Sequence, residues 1–312
     1  MSQYLINQYN DEGVDPETAT LKMEKKMLEN DKKLEANNIR ILKFLAVIII
    51  VGSIGLNFYY TFRHQDESVT ESSIDEESED KCSVMAINVH GHIATYDPYR
   101  EIDDATVDQD VISSEEVVSY IERAGQDEAI KAVILEVDSY GGTPVAGEEI
   151  ANALKRLDKP SVAFIRQSGA SAAYWAASGA GYIIASANSD IGSIGVTSSY
   201  LDNVGQNTKD GNNYIQLSSG KYKDAGDPDR PLTDEEKAIF MRDLKIVHKN
   251  FIEAVATNRK LSIPEVEKIA DGSTVLGARA KELKLIDEIG DLATVTDYLH
   301  KQIGDTVNIC WQ

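Results

Sequence analysis

One serine in this chain sits where a hydroxyl can be put to chemical use. Ser171 lies in Arg166-Gln167-Ser168-Gly169-Ala170-Ser171-Ala172-Ala173-Tyr174-Trp175, directly after Pro160-Ser161-Val162-Ala163-Phe164-Ile165, which has the composition of a short buried strand. A serine that leaves a strand through Gly and Ala and opens a helix is displayed on a tight turn. Small neighbours let other backbone approach it, and the helix N–H groups behind it favour developing negative charge. The same decapeptide also reads as a Ser/Ala-rich helix packed closely on a sheet. Acyl transfer needs, besides the nucleophile, a base and N–H donors for an oxyanion. Gly141-Gly142, after one strand and before a helix, can bring a backbone N–H against a substrate carbonyl, or form an ordinary strand-to-helix turn.

The base is harder to place. Of five histidines, His64 falls in a polar linker, His90 and His92 follow the first strand, His248 sits in a long helix and His300 in the last one. None is expected in a loop beside Ser171 with a carboxylate to orient it, so a Ser-His-Asp triad has weak support. A lysine can serve instead if desolvation brings its pKa from about 10.4 towards 7 or 8. Ser218-Ser219-Gly220-Lys221-Tyr222-Lys223-Asp224-Ala225-Gly226 offers two lysines in a glycine-flanked segment that is expected to follow a strand. Both are also readable as solvated surface charges.

The elements around these residues alternate from Cys82 onward between short β-like and amphipathic helical runs, the pattern of an α/β domain over 82–312. SVMAINVHGHI reads as a first strand and its turn. Ser113–Ala124 opens with a serine cap and places Val117, Tyr120 and Ile121 on one helix face. Ala132–Val137 reads as a buried strand, followed by a helix over about 145–157. After the Ser171 helix come Gly181–Ala185 and the glycine-rich Ile191–Val196. The rest is mostly helical, with caps expected at Thr233, Ser262 and Ser273. No internal repeat is evident.

Before this domain, residues 1–43 are polar, with a helix expected over about 17–38. Phe44–Phe62 is a run of 19 residues without a charge, enough at 1.5 Å per residue to cross roughly 30 Å of hydrocarbon. It is expected to be an uncleaved membrane anchor, since forty polar residues precede it and no A-x-A site follows. Seven Lys or Arg lie between Lys22 and Lys43, against Arg63 and Lys81 in the next stretch, which places the N-terminus in the cytoplasm and the domain outside. Residues 63–81 are acidic and nearly free of large apolar side chains, as a flexible tether would be. The net charge of −21 argues against nucleic acid as a partner, and no CxxC or Cys/His cluster is present to hold a metal. Cys82 and Cys310 near the two ends of the domain could bridge in an oxidising compartment or remain free thiols. Asn308–Gln312 reads equally as a strand, a tail reaching a neighbour, or an end tied to Cys82.

Taken in order, the motifs Asp138-Ser139-Tyr140-Gly141-Gly142, Ala170-Ser171 with its small neighbours and Tyr174, Gly192-Ser193-Ile194-Gly195-Val196, and Ser219-Gly220-Lys221-Tyr222-Lys223-Asp224-Ala225-Gly226 on to Pro231-Leu232-Thr233 resemble the signal peptide peptidase A, or protease IV, family over roughly residues 83–305. Pieces at Thr274–Gly277 and Leu285–Asp287 extend the likeness. The resemblance implies a Clp/crotonase-like fold of repeated β-β-α units and a membrane-anchored endopeptidase without cofactor or metal. The implied mechanism is a Ser/Lys dyad acting through an acyl-enzyme. Ser171 matches the nucleophile, Lys223 the base, Ser193 a serine that orients the lysine, and Gly142 the oxyanion-hole donor. Tyr140 stands where the family usually has Pro, and so could reach the substrate groove. Ala170 and Ala172 flank the nucleophile with methyl groups that could narrow the approach to it. With one copy of the motif set, the chain resembles short members that assemble as a ring or dome, where serine and lysine can come from adjacent subunits. The implied substrates are spent signal peptides or other membrane-derived peptides, the implied location a cell membrane with the domain periplasmic or external. A catalytically lapsed scaffold and an acyl-CoA enzyme of the same fold are the competing expectations.

Overall fold

A computed structural model describes residues 82–97 and 111–312, with isolated positions 25, 29 and 33. The chain divides into two units, Met1–Glu77 and Ser78–Gln312. In the first, Glu29 and Lys33 are helical and pair at 3.0 Å; the rest of the helix expected over 17–38, the apolar stretch 44–62 and the acidic tether lie outside the described residues. Among those described, no helix is long and apolar enough to cross a membrane.

The second unit is a mixed α/β fold on a nine-stranded, mostly parallel sheet. Its centre is β1 (Val84–Ala94), β3 (Ala132–Gly142) and β4 (Ser161–Ala170), with β5 (Tyr182–Ala185) and the short β8 (Glu288–Ile289) beyond β4, and β2 (Val111–Ser113) and β9 (Ile309–Trp311) both on the outer edge of β1. Runs such as Ala132-Val133-Ile134-Leu135 are buried on both faces, as parallel strands must be when helices and loops cover them. β4 changes partners along its length: residues 162–165 pair with β5, and 168–170 pair with β6 (Asp190–Gly192), which turns to an antiparallel partner, β7 (Thr274–Leu276). The split opens the sheet at the carboxyl end of β4, where Ser171 follows.

Three helices carry the main core. α1 (Ser114–Gln126) is capped by Ser113 and buries Val117 and Ile121; α2 (Pro144–Arg156) follows the Gly141-Gly142 turn; α3 (Ala172–Ser178) is buried throughout. α2 and α3 touch almost backbone to backbone: a Cβ on Gly147 would stand 2.5 Å from the Ala172 carbonyl oxygen, and one on Gly179 2.4 Å from that of Ala151. The remaining helices are α4 (Val204–Asp210), α5 (Asp234–Arg259), α6 (Ile263–Glu267), α7 (Gly277–Glu282) and α8 (Leu292–Ile303). Thr233 and Ser262 cap α5 and α6 as expected. Ser273 caps nothing: its hydroxyl turns back to Asp271 at 2.6 Å, and the residues after it pair with β6 as a strand. The strand expected ahead of Ser218 is absent too, since residues 211–233 have no sheet partner to satisfy their backbone.

Cys82 and Cys310 are joined, and β9 lies parallel to the start of β1, so the last residues are both a strand and an end tied to Cys82. The bridge closes a separation of 228 residues.

Candidate active site

Ser171 is held in a conformation that non-glycine residues avoid, with φ 54° and ψ −128°. Such a backbone costs on the order of 1–3 kcal/mol and persists only where its surroundings over-determine it. Here they do: the Ser171 N–H donates to the Gly192 carbonyl at 2.8 Å, and the Ser171 carbonyl accepts from Trp175 N–H at 3.0 Å. Behind it, the Trp175 ring stacks on Phe251 of α5 with centroids 4.7 Å apart. Tyr174 is fully buried and donates its hydroxyl to the Leu285 carbonyl at 2.8 Å; burial pushes that phenol well above its ordinary value, so it stays a neutral strut. The Ser171 hydroxyl itself makes no hydrogen bond with a described residue.

The glycine pair is brought against this turn from β3. Gly141, at φ 110°, lies so close that a Cβ on it would meet the Ser171 Cβ at 2.8 Å and the Ala170 carbonyl oxygen at 2.9 Å. Ser139 fixes the approach by donating to the Gly91 carbonyl at 2.6 Å and accepting from the Gly141 N–H at 3.0 Å. The Thr143 N–H donates to Ile93, so the N–H groups on either side of Gly142 are engaged. Only the doublet was legible in the sequence; which glycine touches the serine was not.

Ser171, Gly142 and Ser193 line one cleft of about 560 Å³, whose far wall includes His248 of α5 and the Asp271-Gly272 turn. Ser193 also has positive φ (49°) and donates its hydroxyl to the Gly272 carbonyl at 2.8 Å. Within one chain, therefore, it faces a carbonyl and not a lysine. His248, which the helical pattern did not orient, lines the same cleft, from the long helix α5 as expected and not from a loop. The other described histidines are engaged elsewhere or outside the cleft: His90 meets Glu136 at 3.2 Å, and His300 meets the Asp305 carbonyl at 2.7 Å.

The two lysines separate clearly. Lys221 is paired with Glu235 at 2.6 Å, and that hydrogen bond raises its pKa, the wrong direction for a base. Lys223 is exposed, and its amine makes no ion pair or hydrogen bond with a described residue; it is not part of the Ser171 cleft in a single chain. It rides on an arm, residues 197–233, in which no residue is buried. Tyr140 is 73% exposed and outside the cleft. Ala172 is 3% exposed and packs against α2, so its methyl does not line the groove in which it was expected. Among the described residues no group of His, Cys, Asp and Glu could hold a metal.

Residues 153–304, a span that takes in Ser171, Ser193 and Lys223, match Peptidase family S49. The chain is 37% identical over 175 residues to an inferred protease of Methanocaldococcus jannaschii, covering 55% of this chain and 56% of that protein. It is 28% identical over 242 residues to an inferred signal peptide peptidase SppA of Enterococcus faecium, covering 75% and 67%. It is 31% identical over 206 residues to Protease 4 of Haemophilus influenzae, covering 65% and 33%. The chain thus spans from about a third to two thirds of the length of these relatives. Among solved structures, a mutant of the 1510-N membrane-bound stomatin-specific protease aligns with a TM-score of 0.45 at 16% identity, covering 74% of this chain and 98% of that one.

Proposed function

We propose that this chain, which belongs with the signal peptide peptidase A, or protease IV, proteins through its Peptidase family S49 segment, is a membrane-anchored serine endopeptidase of Clp/crotonase-like fold that works by a Ser171/Lys223 dyad. The observation that carries the reading is the strained Ser171 turn, braced by Gly141 and opening on a 560 Å³ cleft. Strain of this kind is retained where it presents a nucleophile. In the reaction, neutral Lys223 takes the Ser171 proton as Oγ attacks the scissile carbonyl. The Gly142 N–H holds the oxyanion, and the lysine returns the proton to the leaving amine. Water then enters by the same route and frees Ser171 from the acyl group.

A lysine base works only when shielded from water, and Lys223 is exposed in one chain. Its shield is a second copy. The arm that carries it also exposes Leu201 (89%), Ile215 and Leu217 (94%), apolar surface suited to a neighbouring protomer in a ring or dome. Ser193 of the receiving copy then lies beside the incoming amine. Peptide main chain has an edge to pair with at Gly195–Thr197, whose backbone makes no hydrogen bond to other described residues. The uncharged run 44–62 is the anchor, and the Cys82–Cys310 bridge accords with an oxidising location outside the cytoplasm. From there the domain meets membrane-derived peptides such as spent signal peptides. Ala170 and Ala172 are buried and neither lines the Ser171 cleft, which favours an active enzyme over a lapsed scaffold.

Mixing two dead variants tests this. Ser171→Ala and Lys223→Ala each lose peptide cleavage by about a thousandfold or more. Co-assembled, they recover a measurable fraction, because some interfaces combine the serine of one copy with the lysine of the other. No recovery would place the dyad within one chain or end it; a wild-type chain that cleaves no peptide would return the scaffold reading.

A further inference from the structure

Glu136 is a buried charge that the proposed reaction does not use. It is 5% exposed, sits on the central strand β3 and does not line the Ser171 cleft. Taking a carboxylate out of water is costly unless it is paired. Its Oε1 is paired on both sides: Arg166 of β4 donates from Nη1 at 3.0 Å, and His90 of β1 places Nε2 at 3.2 Å. Both partners are half exposed and lie outside the cleft as well. One oxygen thus ties the three central strands together.

The tie stands where both strand ladders break. Asn88, Glu136 and Phe164 share one regular row across β1, β3 and β4, and just beyond it the rows fail. On one side Arg166–Ser168 of β4 stand against Asp138 alone before Ser139 meets Gly169. On the other, Ser139 and Tyr140 stand against Gly91 alone before Gly141 meets His92. Bulges re-aim a strand, and they recur beside active sites. The first carries β4 from β5 over to β6 and delivers Ser171; the second delivers Gly141 against the Ser171 Cβ. Where ladder bonds are lost, side chains hold the strands. The Ser168 N–H donates to Asp138 at 3.2 Å, the Arg166 carbonyl accepts from the Ser189 hydroxyl, and Ser139 bridges Gly91 and Gly141. Among these contacts only those of Glu136 reach β1 and β4 at once.

We propose that Glu136 is a positioning residue: by fastening Arg166 and His90 it fixes the bulge of β4 against the bulge of β3, and so holds Ser171 in register with the Gly141-Gly142 turn. Its effect on rate rests on the peptidase reading. Without the tie, Arg166 and His90 pass to water and the core stays filled, but nucleophile and oxyanion donor drift apart. A misplacement of about 1 Å can cost on the order of a hundredfold in rate. Peptide binding draws on the cleft walls, which Glu136 does not line, so KM holds.

The full-length chain in detergent micelles is compared with Glu136→Met, which keeps the side-chain volume, and with Glu136→Gln, Arg166→Met and His90→Leu. Hydrogen exchange, read by mass spectrometry well below each Tm, follows 90–93, 137–143 and 166–171, with α1 and α2 as reference. Cleavage of an internally quenched decapeptide with a leucine core gives kcat and KM. Glu136→Met should speed exchange about tenfold at both bulges and leave the two helices unchanged. It should also lower kcat by about tenfold to a hundredfold, with KM within about twofold. Glu136→Gln keeps the oxygen that Arg166 meets and restores part of both. Arg166→Met loosens 166–171 alone, and His90→Leu the Gly91 and 139–141 side alone. Exchange that rises equally throughout, or not at all, in Glu136→Met would overturn the assignment, as would an unchanged kcat in an active enzyme. Should Glu136→Met fail to fold, Arg166→Met and His90→Leu decide, and unaltered exchange in both would overturn it. A wild type that cuts nothing, with both bulges loosened as described, would sink the peptidase reading and leave Glu136 standing as the fastener.

Discussion

The body that presents Ser171 and the arm that carries Lys223 are built on opposite principles. In the body, Ser171 is pinned by the Gly192 carbonyl, the Gly141 approach and a helix whose seven residues are all buried. Over residues 197–233 nothing is buried, and polar pairing supplies the order: Arg230 bonds Glu236 at 3.0 Å and reaches Asp224, while Asp229 accepts from Asn203 and Asn207, each at 3.0 Å. One chain thus completes the Ser171 turn by packing. The arm holds a shape but leaves its large apolar side chains facing outward. The difference teaches that a strained turn needs a finished core, whereas on the proposed dyad a base that must be desolvated can wait on a surface for its cover.

The sharpest test of that contrast is Ser171→Ala, expected to remove at least about a thousandfold of the activity with little change in Tm, because the body's packing does not depend on the hydroxyl. Next in size is the paired change Cys82→Ser with Cys310→Ser. Loss of a bridge across this separation is expected to destabilise by about 2–5 kcal/mol in chemical unfolding, and the loss should register in the body. Gly147→Val is expected to cost on the order of 1–3 kcal/mol, read as a lower Tm. Its side chain meets backbone at Ala172, so cleavage should fall along with stability. A fall in Tm with full activity would show that the Ser171 turn does not need the close approach of α2 and α3.

Arg230→Ala should do the reverse, leaving the body's melting nearly unchanged while residues 197–233 become open to limited proteolysis and cleavage is lost. Acid should act on the same link. Arg230, by its hydrogen bond, holds the Glu236 carboxyl down to about 2 from an ordinary 4.5. A depressed carboxyl stabilises the fold in full above its ordinary value and loses that contribution as pH falls through the folded one. Hydrogen-exchange protection in the arm, taken relative to the intrinsic rate at each pH, should therefore fall as pH drops from about 4.5 towards 2, with less change in β1, β3 and β4. Equal loosening of arm and body would break the distinction.

Some of this was legible in the residues alone. The strand–turn–helix at Ser171, the strand over 132–137 and the caps at Ser113, Thr233 and Ser262 depend on groups within a few positions of one another, so local pattern sufficed. The expected cap at Ser273 and strand before Ser218 failed for a related reason: a serine serves a turn as readily as a helix, and a β-like run is a strand only if an edge is free to receive it. His248 was passed over because helical periodicity says that a residue shares a face with Phe251 but not what that face meets.

By itself the sequence determined the α/β alternation, the serine turn, the glycine doublet and the lysine pair, because propensity, side-chain size and short-range hydrogen bonding act along a few residues of chain. Tertiary structure alone decided that Gly141 abuts Ser171, that Glu235 takes Lys221 and not Lys223, that His248 lines the cleft of Ser171, and that Cys82 meets Cys310. Each of these turns on which surfaces of distant elements come within about 4 Å, the reach of packing and hydrogen bonds, and that distance is set only when the whole sheet has formed.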